Sequence, residues 1–114
     1  AEAGLPEMRV ADLESGEEAV LLKEPAMELA VSHDGRTVAY THSTSHFTMN
    51  IHLLPLQPPA SASGLPRVAG PTRQLTDGRG IWHIHRSVWS PDGKKIIYTR
   101  DTDQGDIYVI ENYR

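Results

Sequence analysis

Six histidines, two tryptophans and no cysteine set the chemistry open to this 114-residue chain. His83-Ile84-His85 places two imidazoles on one side of an extended strand, because side chains alternate faces with a period of two. Imidazole suits late transition ions. The spacing is weakly specific, however, and no HExxH pair accompanies it, so the expectation is no metal and no cofactor. A polar surface for a protein or peptide accounts for His42, His46, His83 and His85 with Trp82 and Arg86 better than an ion does, and solvated histidines without a role are the plain alternative.

The acidic run Asp101-Thr102-Asp103-Gln104-Gly105-Asp106 resembles the first half of a calcium loop. Its closing bidentate glutamate is missing, since the twelfth position is Asn112. A hairpin turn explains these residues without an ion. Nucleophilic chemistry has less support: the chain has no GxSxG elbow, no phosphate-binding glycine loop and no thiol. Ser45 beside His46 carries no weight, because triad partners meet in space rather than in sequence. The chain is not expected to be an enzyme.

Composition narrows the partners. With 11 Lys+Arg against 15 Asp+Glu, a net charge of -4 repels a phosphate backbone, which argues against nucleic acid. At 39% hydrophobic residues the chain suits one globular domain, and no apolar run approaches the roughly 20 residues that span a bilayer, so no membrane insertion is expected. The first residues, Ala1-Glu2-Ala3-Gly4, have no initiator methionine, which suggests a mature chain or an excised piece.

The elements that must position these side chains read as strands. Met8 to Leu13, Thr37 to Thr41, Ile96 to Thr99 and Asp106 to Ile110 are short runs rich in β-branched and aromatic residues, bounded by turn formers. Gly16 to Glu24 has helix-forming residues but is too short between its turn and Pro25, so it too reads as strand. Two Asp-Gly pairs, Asp34-Gly35 and Asp92-Gly93, mark hairpins whose positive φ angles these residues supply. They also belong to an internal repeat: Val31-Ser32-His33-Asp34-Gly35 through Thr41 overlies Trp89-Ser90-Pro91-Asp92-Gly93 through Thr99 at a shift of 58 residues. Pro55 to Pro71, with Pro58, Pro59 and Pro66 between, reads as an extended inserted loop, whose removal brings the repeat near the roughly 40–45 residues of a four-stranded propeller blade.

The order Arg73-Gln74-Leu75-Thr76-Asp77-Gly78, then Val88-Trp89-Ser90-Pro91-Asp92-Gly93-Lys94-Lys95-Ile96-Ile97-Tyr98-Thr99-Arg100, then Gly105-Asp106-Ile107-Tyr108-Val109 resembles the repeat of TolB-type β-propellers, a WD-repeat-like family. The first copy departs from it, with Val31 for the tryptophan and His33 for the proline. The resemblance implies an all-β fold of antiparallel four-stranded β-propeller blades in an incomplete ring. Residues 1–24 would end a preceding blade. Residues 25–77 would form a blade with the proline-rich insertion at 55–71, and residues 78–114 a blade lacking its last strand. Propellers close with about four to eight blades, so two and a quarter imply a piece of a larger ring, or self-association into a homo-oligomer that completes one.

In that frame Asp34, Gly35, Trp89, Ser90, Pro91, Asp92, Gly93, Tyr98, Asp106 and Tyr108 are structural repeat residues, and Trp89, Val88, Ile97 and Val109 fill the space between blades. Alternate connections lie on opposite faces. His42, His46, Trp82, His83, His85 and Arg86 would then fall on loops of one face, the expected partner-binding face. The resemblance implies a non-catalytic protein-protein interaction scaffold, periplasmic or otherwise extracytoplasmic in a bacterium. Its alternative is the propeller part of a prolyl-oligopeptidase or tricorn-type serine peptidase, with the catalytic domain elsewhere.

Overall fold

A computed structural model describes residues 6–43 and 48–102. All regular structure within them is β: β1 (Met8–Ala11), β2 (Glu18–Leu22), β3 (Met27–Val31), β4 (Thr37–Ser43), β5 (Met49–Gln57), β6 (Arg67–Val68), β7 (Arg73–Gln74), β8 (His83–Trp89) and β9 (Ile96–Asp101). Every strand pairing is antiparallel. The strands form a β1-β2 hairpin, a central sheet ordered β3-β4-β5-β6 with β7 also on β5, and a β8-β9 hairpin. Within Gly16 to Glu24, Glu18–Leu22 is strand and the residues on either side are not. The segment Asp106 to Ile110, with Asp106, Tyr108 and Val109, lies outside the described residues.

Alternation along β4 and β5 makes the central sheet two-faced. Val38, Tyr40, Leu54 and Leu56 meet Met8, Leu21 and Leu22 of the first hairpin. Ala39, Ile51 and Leu53 point the other way and meet Ile84, Trp89, Ile96 and Tyr98 of the last hairpin. The central sheet is thus covered on both sides, and burial of such side chains contributes about 1.5–3 kcal/mol each. Of these, Tyr40, Ile51, Leu54, Ile84 and Val38 are fully buried.

The proline-rich segment differs from the single loop expected of it. β5 runs through Pro55 to Gln57, and Leu56 is buried in the core. Arg67 and Val68 pair with Gln57 and Leu56, and Arg73 and Gln74 pair with Leu53 and His52. A bulge at residues 69–72, containing Gly70 and Pro71, separates these two short pieces of one strand line. Pro55 has no N–H to give the ladder, and its carbonyl accepts from the Ala69 N–H at 2.9 Å. Residues 58–66 leave the sheet, and residues 69–72 interrupt its last strand line.

The two Asp-Gly turns are alike bond for bond. In the first, the Ser32 hydroxyl donates to Asp34 Oδ1 (2.7 Å), Asp34 Oδ1 accepts the Arg36 N–H (3.0 Å) and Ser32 Oγ accepts the Thr37 N–H (3.1 Å). In the second, Ser90, Asp92, Lys94 and Lys95 repeat the set at 2.6, 3.0 and 3.0 Å. Only the glycine has positive φ, +74° at both Gly35 and Gly93. The aspartates therefore act as side-chain acceptors that close the turn, not as left-handed residues. The Ser32 hydroxyl and Arg36 N–H hold the Asp34 carboxyl below its ordinary range, and Ser90 and Lys94 do the same for Asp92.

The repeat extends upstream of the turns. Pairing of β3 slips between Met27 and Ala30, and pairing of β8 slips between His85 and Val88, which are equivalent positions at the 58-residue shift. Glu28 (φ +52°) and Arg86 (φ +58°) occupy the two bulges. Strands β3 and β8 are neighbours, and Trp89 Nε1–H donates to the Ala30 carbonyl at 2.9 Å.

Candidate functional site

The outward face of the β8-β9 hairpin gathers the chain's best-placed ligating groups. Ile84 and Trp89 of β8 turn toward the central sheet, and so do Ile96 and Tyr98 of β9. Alternation therefore turns His83 and His85 outward on β8 and Asp101 outward on β9. His83 and Asp101 are direct cross-strand partners. One donor atom from each of His83, His85 and Asp101 lies within 4.8 Å of the others. His83 Nδ1 is 3.9 Å from Asp101 Oδ1, and the two imidazoles meet edge to face at 5.9 Å.

Glu28 organises this cluster from the neighbouring strand. Its Oε1 accepts the Arg86 N–H at 2.8 Å, and its Oε2 lies 2.9 Å from His85 Nδ1. Burial opposes ionisation of Glu28, but the Arg86 N–H, the His85 contact and the positive charge nearby outweigh it and hold the carboxyl below its ordinary range. An ionised carboxylate has no proton to give, so the hydrogen of this contact sits on His85 Nδ1. The left-handed turn at Arg86 aims its N–H at Glu28, which makes the bulge part of the site.

The approach to β8 is held by Asn50. Its Oδ1 accepts the Gly78 N–H and the Thr76 hydroxyl, each at 2.7 Å, and its Nδ2 donates to the Gly78 carbonyl at 3.0 Å. Met49 N–H donates to the Trp82 carbonyl at 3.2 Å. The Arg100 guanidinium covers the Trp82 ring at 3.9 Å, an arrangement worth about 0.5–1 kcal/mol at an exposed site. These contacts fix where β8 begins.

The expected single face of histidines divides in two. His83 and His85 lie within β8, not in a loop, because the strand starts before the bulge rather than after it. His42 lies in β4 beside Tyr40, on the opposite face of the central sheet from β8. There its ring lies 4.6 Å from that of His52 at a tilt of 41°, with Glu24 Oε1 at 3.7 Å. His46 lies outside the described residues. Of the expected set, Trp82, His83, His85 and Arg86 stay near one another, and His42 does not join them.

Burial pushes the Tyr40 hydroxyl up to about 12, reinforced by its hydrogen bond to Glu24 at 3.1 Å. Burial pushes His52 down, and the neighbouring His42 adds to the effect. These groups serve the core of that face. Val88 and Ile97, expected to fill space between blades, are a directly paired couple left 57% and 65% exposed on the same outward face as His83.

Sequence reasoning missed Glu28 and Asn50. Glu28 had only a positional signal: at the 58-residue shift it stands over Arg86, whose backbone N–H is its partner. Asn50 had none, since its partners are mostly backbone groups of a loop 28 residues away. No protein-family model matches the chain, and no curated protein or solved structure matches it either. The all-β, antiparallel character of the chain therefore rests on its own residues and geometry.

Proposed function

We propose that this chain is a segment of a TolB-like β-propeller, acting as a non-catalytic scaffold for protein-protein interaction in an extracytoplasmic compartment. One observation carries the reading. Strands β3 and β8, equivalent in the repeat, carry the same bulge and the same turn and lie side by side, joined by the Trp89 bond to Ala30. Successive repeats that stack innermost strand beside innermost strand are what a propeller requires. The uncovered Val88-Ile97 pair is the seat this reading assigns to a further sheet, from the rest of a longer chain or from a second copy.

Light scattering after gel filtration tests it, with the chain and its Ile97→Asp variant compared over a range of concentrations. The expected result is association of the parent chain, at best a discrete assembly of about three chains to complete six or seven blades, and its loss in the variant. A monodisperse monomer at every concentration would rule out the second copy and leave the seat to the rest of a longer chain, whereas association of the parent chain that Ile97→Asp leaves unchanged would sink the reading of this pair as the contact.

A further inference from the structure

We propose that His83, His85 and Asp101 form a binding site for one divalent late-transition ion of the zinc class, with Glu28 as the carboxylate that orients His85. The site stands whether or not the sheets belong to a propeller.

Four observations converge on it. The two histidines project from one strand on one face, and Asp101 joins them from the strand paired to it, so paired strands hold all three ligands, with the bulge just after His85. Donor atoms within 4.8 Å of one another close on an ion through small side-chain rotations, since Zn–N and Zn–O distances are about 2.0–2.2 Å. Glu28 accepts the Nδ1 hydrogen of His85 and leaves Nε2 as the ligating atom, the carboxylate–histidine arrangement that fixes tautomer and ring orientation around bound metals. Glu28 is itself anchored by the Arg86 N–H, so its orientation is set before any ion arrives.

Ligand chemistry selects the ion. Two imidazoles and one carboxylate favour Zn2+ and its neighbours over Ca2+ or Mg2+, which prefer all-oxygen shells. Three protein ligands leave a fourth tetrahedral position open. Asp101 is exposed, so that position faces outward, on the same face of the hairpin as the uncovered Val88-Ile97 pair. Water fills it in the free chain, and a histidine or carboxylate of whatever covers this face can replace that water. The ion would then clamp the ends of β8 and β9 and offer a ligand-exchange position at the contact surface.

Isothermal titration of the 114-residue chain with Zn2+, free of other metals, is the test, with far-UV circular dichroism on each variant. One ion per chain is expected. His83→Gln and His85→Gln should each weaken binding at least tenfold, and Glu28→Gln should weaken it by roughly tenfold or more with the stoichiometry kept. His42→Gln, on the opposite face, should leave it unchanged. Asp101→Asn alters an exposed strand end and so tests the site without burdening the fold; it too should weaken binding. Bound Co2+ should show the intense visible absorption of a tetrahedral site. Absence of stoichiometric binding, or equal affinity in the His83→Gln/His85→Gln double variant, would overturn the proposal. Loss of binding on His42→Gln alone would do so as well.

Discussion

The two copies of the repeat share the residues that shape backbone and differ in those that meet neighbours. Ser32, Asp34 and Gly35 recur as Ser90, Asp92 and Gly93 with the same hydrogen bonds and the same φ. The bulges recur as well, at equivalent positions of the 58-residue shift. Between them the side chains part company. Glu28 of one copy reaches across to the Arg86 N–H of the other, and Trp89 reaches back to Ala30, whereas Val31, the counterpart of Trp89, is 56% exposed. The lesson is that a turn and a bulge are local inventions that copy intact, while a side chain's value depends on what lies opposite it.

The tyrosines give the sharpest contrast. Tyr40 and Tyr98 are equivalent, but Tyr40 is 0% exposed, bonded to Glu24 and covered by the first hairpin, and Tyr98 is only partly buried. Tyr40→Ala should cost about 3–5 kcal/mol, in line with large aromatic truncations in a closed core, and Tyr98→Ala about 1–2 kcal/mol. Urea denaturation of each variant measures the difference, and equal costs would mean that the outer hairpin is as well covered as the central sheet. Next comes the tryptophan. Trp89→Val, which makes the second copy like the first, forfeits a hydrogen bond of about 1 kcal/mol and part of a large packed surface, about 2–3 kcal/mol together. The reciprocal Val31→Trp has no carbonyl placed as Ala30 is for Trp89, and it enters an apolar cleft lined by Leu29, Leu56 and Pro58, so its effect on stability should stay below that of Trp89→Val.

Protonation separates the faces in another way. Burial and His42 lower the pKa of His52, so the native state holds this imidazole neutral where the unfolded chain would protonate it. Stability from this group is fully present above the unfolded value near 6.5 and falls as pH drops through that value toward the lower folded one. His42, Tyr40 and Glu24 surround His52 on that face, and Glu24 opposes the effect. Thermal melts between pH 7.5 and 5 should therefore show a loss that His52→Gln reduces. An unchanged pH dependence in the variant would place the acid-sensitive group elsewhere.

What could be read from the sequence follows the same division between local and distant causes. The strands, the two turns and the 58-residue shift were legible because β-branched runs and Asp-Gly pairs act over a few residues. The extent of β5 was not, since Pro55 and Pro59 read as breakers until Val68 and Ala69 are seen bonding alongside. The site was half legible. His83 and His85 announce a shared face by spacing alone, and Asp101 was noted for calcium, yet only the pairing of β8 with β9 brings that carboxylate to the histidines. The separation of His42 from them depends on which way β4 turns its even-numbered residues, and that is settled by the packing of Val38 and Tyr40 on the first hairpin.

The smallest expected contrast is between the turn glycines, and it is informative because it should be nil. Gly35 and Gly93 have the same φ of +74°, and a Cβ added at either would meet no atom within 4 Å. Steric clash with the surroundings is therefore absent, and the cost of Gly35→Ala or Gly93→Ala is the left-handed strain of an L-residue, about 1–2 kcal/mol. Ser32, Asp34 and their counterparts fix that conformation equally in both turns, so neither can relax more cheaply than the other. Denaturation midpoints of the two single variants should shift together, and the double variant should shift by their sum, since the strain at each site is local. A larger loss at Gly93 would mean that the second turn is held by something beyond its own hydrogen bonds, and Pro91, where the first copy has His33, is the residue whose exchange for histidine would then restore the balance.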